Sequence, residues 1–207
     1  MPGNNYNAAV TVSPTGQIIA HYRKSFLYYT DATWACEGSG FHVGTLPLPL
    51  ARNGEEQGDM RVTMGICMDI NPYNFTSPWG AYEFANHVVA SKSQLNILSM
   101  AWLSHELTPN DVSVGGKGAR EPDLKTLTYW VERFGPLVQA EREGTVLVMA
   151  NRCGVEGEVC YAGTSTVMMV CGGEVRMWDI CGKGEERCLI VDTEAVSVMK
   201  MVLSGMK

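Results

Sequence analysis

The pattern of apolar and polar positions changes period several times along the chain. Residues 6–12 and 17–22 read as two strands around Ser13-Pro14-Thr15-Gly16, with proline suited to the second turn position and glycine to the fourth, so the chain opens on a β-hairpin. Residues 25–60 are long and irregular, a kind of connection that is usually functional or mobile. Residues 61–66 then form a buried strand that ends at Cys67, and Asn71-Pro72 stops any simple continuation. Ser77-Pro78 opens a helix, with Ser77 as N-cap and Ala81, Phe84, Ala85, Val88 and Val89 as its apolar face. Residues 96–100 are a short buried strand leading into Ala101-Trp102-Leu103. The loop at 106–120 contains Gly115-Gly116-Lys117-Gly118 but lacks the GxxxxGK[ST] pattern of a phosphate loop. A second helix starts near Glu121-Pro122, with Leu124, Leu127, Val131, Phe134 and Val138 as its stripe and a kink at Pro136. Residues 145–150 have the near-continuous apolar character of a central strand. A second hairpin joins 165–170 to 174–180 through Gly172-Gly173, and 188–191 read as a last strand.

Strands and helices thus alternate in the middle of the chain, with a hairpin at each end. This pattern predicts an α/β architecture, a mixed sheet layered with helices. The length of 207 residues fits one domain, taken as 1–193, followed by a tail at 194–207 with no assigned structure.

Composition narrows the function more than the fold. A net charge of −6, with no local Lys/Arg cluster, argues against nucleic acid or an anionic membrane as the main partner. No apolar stretch is long enough to span a bilayer, and the first residues lack the basic and apolar regions of a signal peptide. The seven cysteines are odd in number and include no C-x-x-C pair or familiar zinc spacing, which favours reduced thiols in a cytoplasmic protein.

Cys67 is the first candidate for chemistry. A thiol at a strand end on a sharp turn can be exposed in a cleft while its backbone is fixed, and the N–H groups of such a turn can face a developing oxyanion. The alternative is an inert buried cysteine. Lys24, just past the first hairpin, is a candidate partner, because a nearby ammonium favours the thiolate and faces the oxygen of an attacked carbonyl; the alternative is a solvated strand end. Glu37 can orient the lysine or move protons, or is an ordinary loop glutamate. Trp102 lines a pocket or packs in the core. The four histidines share no spacing, and no H-E-x-x-H occurs.

Tyr22-Arg23-Lys24, Gly65-Ile66-Cys67-Met68-Asp69, Ala101-Trp102, Asn151-Arg152-Cys153-Gly154 and Ala162-Gly163-Thr164-Ser165 occur in this order. In order and context they resemble the motifs of the nitrilase, or carbon–nitrogen hydrolase, superfamily. The stretch from Tyr22 to Asp31, with Cys67-Met68-Asp69-Ile70-Asn71-Pro72, is most similar to the protein N-terminal amidases, and the resemblance runs from Asn7 to Val191. It implies an α-β-β-α sandwich and a Glu-Lys-Cys catalytic set that needs no metal or cofactor. Lys24 and Cys67 match that set directly, Glu37 falls where many members carry a second glutamate, and Met68 corresponds to the donor of an oxyanion N–H. Asp69 and Trp102 complete the expected substrate-binding residues. Asp69, Asp31 and Glu106 are unranked candidates to meet the substrate's α-ammonium.

The resemblance implies a substrate that is the N-terminal Asn or Gln of a peptide or protein. A small free amide, and a catalytically inactive remnant that serves as a binding partner, are the alternatives. The family's general-base glutamate lies upstream of the lysine, in an opening β-α-β portion, whereas no glutamate precedes Lys24 here. The expectation is a fold lacking that portion. Residues 1–207 alone should therefore release ammonia about 10²–10⁴-fold more slowly than an enzyme with its base in place. An ammonia-release assay on the purified chain checks this, and robust turnover abolished by Cys67→Ala would show that an in-chain carboxylate suffices.

Overall fold

The computed structural model describes residues 4–48, 58–113, 116, 118–141 and 143–202. In chain order the elements are β1 (Ala8–Val12), β2 (Ile18–Arg23), β3 (His42–Pro47), β4 (Asp59–Ile66), α1 (Glu83–Ala90), β5 (Leu95–Met100), β6 (Leu103–Ser104), α2 (Pro109–Val112), α3 (Leu124–Arg133), α4 (Gly135–Gln139), β7 (Thr145–Asn151), β8 (Cys153–Glu156), β9 (Val159–Ala162), β10 (Thr166–Cys171), β11 (Glu174–Ile180) and β12 (Met199–Val202). Seven strands form one sheet in the order β12-β11-β10-β7-β5-β4-β3. Its centre, β4, β5 and β7, is parallel and its flanks are antiparallel. β1 and β2 make a separate two-stranded sheet, and β6, β9 and β8 a small three-stranded one.

The helices cover one face of the large sheet. Phe84, Val88, Leu127, Trp130, Phe134 and Val138 pack against Leu98, Met100, Leu147, Met149, Met168 and Met177. Each such side chain contributes roughly 1.5–3 kcal/mol when fully buried. On the opposite face Tyr22 joins Met64 and Ile66, with Ala9 and Ala20 at its side, so the first hairpin lies against β4. The hairpin turn closes as its sequence predicts, with the Gly16 N–H donating to the Ser13 carbonyl at 2.9 Å.

Several elements differ from the sequence reading. The Ser77-Pro78 start does not hold, because Pro78 is extended (φ −54°, ψ 140°); a single turn at Trp79–Ala81 follows, and α1 begins only at Glu83. At Pro136 the helix breaks rather than kinks: α3 ends at Arg133, and α4 starts at Gly135 with the proline in its first turn, where a missing N–H costs nothing. Leu127, Val131, Phe134 and Val138 of the expected stripe are buried, but Leu124, at the exposed start of α3, is 60% exposed. The segment read as irregular contains β3, while its residues 49–57 lie outside the described residues, as do Gly115 and Lys117 of the glycine-rich loop. Residues 188–191 form no strand. The place beside β11 is taken by β12, from the stretch after 194 that carried no assignment, and Ile190 stays exposed. Residues 203–207 lie outside the described residues.

Gly65 shows how closely α1 approaches the strand that leads to Cys67. A Cβ there would lie 2.7 Å from both Leu98 Cδ2 and Phe84 Cζ. Gly65→Ala should destabilise the fold by about 1–3 kcal/mol through overpacking, a loss to be read as a lower urea midpoint at unchanged slope.

Candidate active site

Ligand sites in open α/β sheets form beyond the carboxyl ends of the parallel strands. Here β4 ends at Cys67, β5 leads to Ala101-Trp102, and β7 ends at Asn151. Three of the sequence motifs therefore meet at one edge because their strands are adjacent and parallel. Cys67 adopts φ +44°, a left-handed conformation that is unusual for a residue with a Cβ and that turns the chain sharply off the strand. The turn is closed by Asp69, whose Oδ2 accepts the Ile66 N–H at 2.7 Å. Cys67 is half-buried, and burial pushes its thiol pKa up, opposed by the charge of Lys24 and a backbone hydrogen bond from Ala101.

Lys24 is 2% exposed and sits one residue past β2. Its Nζ donates to Asp31 Oδ2 at 2.5 Å. The same carboxylate accepts the Tyr28 N–H at 3.1 Å and Asn7 Nδ2 at 3.1 Å. Burial acts to raise the Asp31 pKa, but these donors and the lysine charge outweigh it and hold the carboxyl below the usual range. Asp31, weighed from sequence as a receptor for substrate, is instead the counter-ion of the lysine.

A cavity of about 200 Å³ lies against the turn. It is lined by Cys67, Met68, Asn71 and Ala101 together with Tyr28, Phe75, Trp102, Leu103, His105 and Tyr129. Trp102, Leu103, His105 and Tyr129 also line a neighbouring groove that continues to Ser104, Glu106, Asp123, Lys125 and Thr126. Of the residues singled out from sequence, Cys67, Met68 and Trp102 thus lie together at the cavity. Lys24 reaches Cys67 through its charge. Glu37 is exposed and its side chain is hydrogen-bonded to that of Tyr73, while the next residue, Gly38, donates its N–H to the Lys24 carbonyl at 2.8 Å. Asp69 is 0% exposed and is not part of the cavity wall, because its carboxylate is occupied by backbone and Tyr22 donors.

Supporting side chains hold the walls in place. Asn151 Oδ1 accepts the Trp102 N–H at 2.7 Å, and its Nδ2 donates to the Gly163 carbonyl at 2.8 Å. Ser165 Oγ accepts the Asn151 N–H at 2.9 Å, so the two C-terminal motifs act on the Trp102 wall together. Arg133, 1% exposed, donates to the Ile70 and Trp79 carbonyls at 2.7 and 2.6 Å and lies over the Trp79 and Tyr82 rings. It ties α3 to the loop that follows Cys67. Tyr129 OH donates to Asn71 Oδ1 at 2.6 Å. Tyr129, Phe75, His105 and Arg133 were not singled out from the sequence, and Asn71 only as the stop after the Cys67 strand; Tyr129 is off the apolar stripe of its helix, and nothing local marks the others.

No family model matches the chain. It is 32% identical over 200 residues to the protein N-terminal amidase of Schizosaccharomyces pombe, covering 91% of this chain and 64% of that protein. To the protein N-terminal amidase of Saccharomyces cerevisiae it is 36% identical over 107 residues, 48% of this chain and 23% of that one. The chain thus spans less than two thirds of either curated relative. Among solved structures it superposes on an N-terminal amidase with a TM-score of 0.72 at 22% identity, over 86% of this chain and 72% of the other. The same fold solved with a Gln-Val peptide gives 0.71 at 22% identity, over 86% and 72%. A Nesterenkonia amidase from the nitrilase superfamily gives 0.54 at 18% identity, over 85% and 51%. The mixed sheet with its helix layer and a cysteine at a central strand end is therefore a nitrilase-like fold. Within that class its sequence is similar to those of the two protein N-terminal amidases named above.

The buried pair sets a testable stability. Asp31→Ala leaves the Lys24 ammonium without its carboxylate and should cost about 3–5 kcal/mol in chemical denaturation. Because the folded Asp31 pKa is lowered, its contribution is present above the unfolded value near 4 and is lost as pH falls through the folded value. The difference between native chain and variant should accordingly shrink below about pH 4.

Proposed function

We propose that this chain carries the nucleophile-bearing part of an amidohydrolase that releases ammonia from N-terminal Asn or Gln of peptides and proteins. Cys67 attacks the carboxamide carbon, and the oxyanion is held by Lys24 and the Met68 N–H. The C–N bond breaks, the thiol proton goes to the leaving nitrogen, ammonia departs, and a thioester remains. Water then cleaves the thioester to a carboxylic acid and restores the thiol. Asp31 holds the Lys24 side chain in place. No step calls for a metal or cofactor.

One observation carries the choice of substrate class: the cavity beside Cys67 is small and shares Trp102, Leu103, His105 and Tyr129 with a neighbouring groove. A side-chain carboxamide fits the cavity while a peptide follows the groove. A small-amide enzyme has no use for the groove. Of the carboxylates weighed for the α-ammonium, Asp31 and Asp69 are buried on other donors, and Glu106 lies exposed in the groove, where it accepts Lys125 Nζ at 2.5 Å. The name of the Schizosaccharomyces pombe relative points the same way. Among the described residues no helix is long and apolar enough to cross a membrane. None of the cysteines forms a disulfide, and a reducing, cytoplasmic setting is part of this proposal.

The test pairs ammonia release with the intact mass of the protein after incubation with peptides beginning in Gln or Asn, their N-acetylated forms, and small free amides. The expected outcome is ammonia, or a Cys67 adduct of the peptide's mass less ammonia, with the free N-termini only, and neither in Cys67→Ala. Preference for the small amides, or no product and no adduct with any of them, overturns the proposal.

A further inference from the structure

Asp69 connects the two halves of the site. Its Oδ1 accepts the N–H groups of Ser25 at 3.1 Å and Phe26 at 2.8 Å, immediately after Lys24. Its Oδ2 accepts the Ile66 N–H and the Tyr22 hydroxyl, both at 2.7 Å. Lys24 and Cys67 lie on segments 43 residues apart. This one carboxylate fixes the backbone just beyond the lysine and the backbone just before the cysteine to the same two oxygens. We infer that Asp69 is the positioning residue that aims Lys24 at Cys67, by locking the end of β2 onto the left-handed turn at the nucleophile.

Three points give this direction. Both oxygens are occupied by donors, so neither is available to substrate. The Ile66 N–H bond closes the turn in which Cys67 holds φ +44°, a conformation that an L residue keeps only where its surroundings impose it. An amide does not replace the carboxylate: whichever way an asparagine turned, its NH₂ would face a backbone N–H, since both oxygens receive one. The charge of Asp69 by itself works the opposite way, raising the Cys67 pKa as Asp31 also does, against Lys24. Positioning and simple charge therefore predict opposite effects of the same substitution.

The inference bears on turnover through the amidase reading, but it is measured without substrate, by the pH dependence of Cys67 alkylation with iodoacetamide, followed on the Cys67 peptide by mass spectrometry. Asp69→Asn should slow alkylation at pH 7 about tenfold, as the thiol loses Lys24 and its pKa rises by about one unit. Tyr22→Phe, which keeps the carboxylate and its backbone bonds, should slow it less. In a Lys24→Met background Asp69→Asn should add less than about twofold, because the two act through one contact. Alkylation that is unchanged or faster in Asp69→Asn overturns the inference, as does full additivity with Lys24→Met. If Asp69→Asn does not fold by circular dichroism, Tyr22→Phe decides: a slower rate supports the inference and an unchanged one overturns it. Slowed alkylation in a chain without amidase products would leave the positioning role standing and remove the amidase reading. Amidase products with unchanged alkylation would do the reverse.

Discussion

A carboxylate with no exposed surface must have all of its accepting capacity met by donors, since burying an unpaired charge is prohibitively unfavourable. Asp69 meets this requirement with three backbone N–H groups and one phenol. Backbone donors cannot be supplied by rotating a side chain; the segments that carry them have to come to the anion. The convergence of β2 and the Cys67 turn is thus tied to the satisfaction of one buried charge. Lys24 repeats the argument with opposite sign, because its ammonium is buried and Asp31 receives it. Burial pushes the Asp69 pKa up against its donors; the two buried groups form adjoining knots, and the thiol of Cys67 lies under the influence of both.

Around these knots the parallel centre of the sheet supplies the cleft. Adjacent parallel strands release their chains at the same edge, so Cys67, Trp102 and Asn151 leave the sheet side by side. The aromatic wall is held by polar contacts behind it: Asn151 on the Trp102 backbone, Tyr129 on Asn71, and Arg133 on the Ile70 and Trp79 carbonyls. Arg133 is removed from solvent without a close carboxylate, with Glu83 at 3.9 Å, and its stabilisation comes from carbonyls and from the faces of Trp79 and Tyr82. A wall held from behind keeps its position when the cavity in front of it is empty.

Much of the architecture was legible from periodicity. Both hairpins, the strand ending at Cys67, the strand at 145–150 and the buried stripe of α3 follow from apolar spacing and turn chemistry. The misreadings are equally physical. β3 and β12 lie at the edges of the sheet, where one side faces solvent and the apolar signal is weak. Residues 188–191 have the composition of a strand, but the place beside β11 was already filled. Ser77-Pro78 has the residues of a helix start, yet a proline at ψ 140° leads into a turn instead. For the site, Cys67, Met68 and Trp102, picked out by motif, line one cavity, and Lys24 is buried against Asp31. Glu37 and Asp69 were picked out for the chemistry of their side chains; the fold leaves Glu37 exposed and buries Asp69 among backbone donors.

The amino-acid sequence by itself determined which residues are able to do chemistry and which segments are strands or helices, because both are properties of residue type and local spacing. It placed a thiol at the end of a buried strand and an ammonium at the end of another. Only the tertiary structure decided which carboxylate each charge meets. Asp31 lies seven residues from Lys24 and Asp69 lies 44 from Ser25, and no periodicity distinguishes them from Glu37. That choice belongs to the balance between desolvation and donor supply, which exists only once the chain has closed around the charges and excluded water from them.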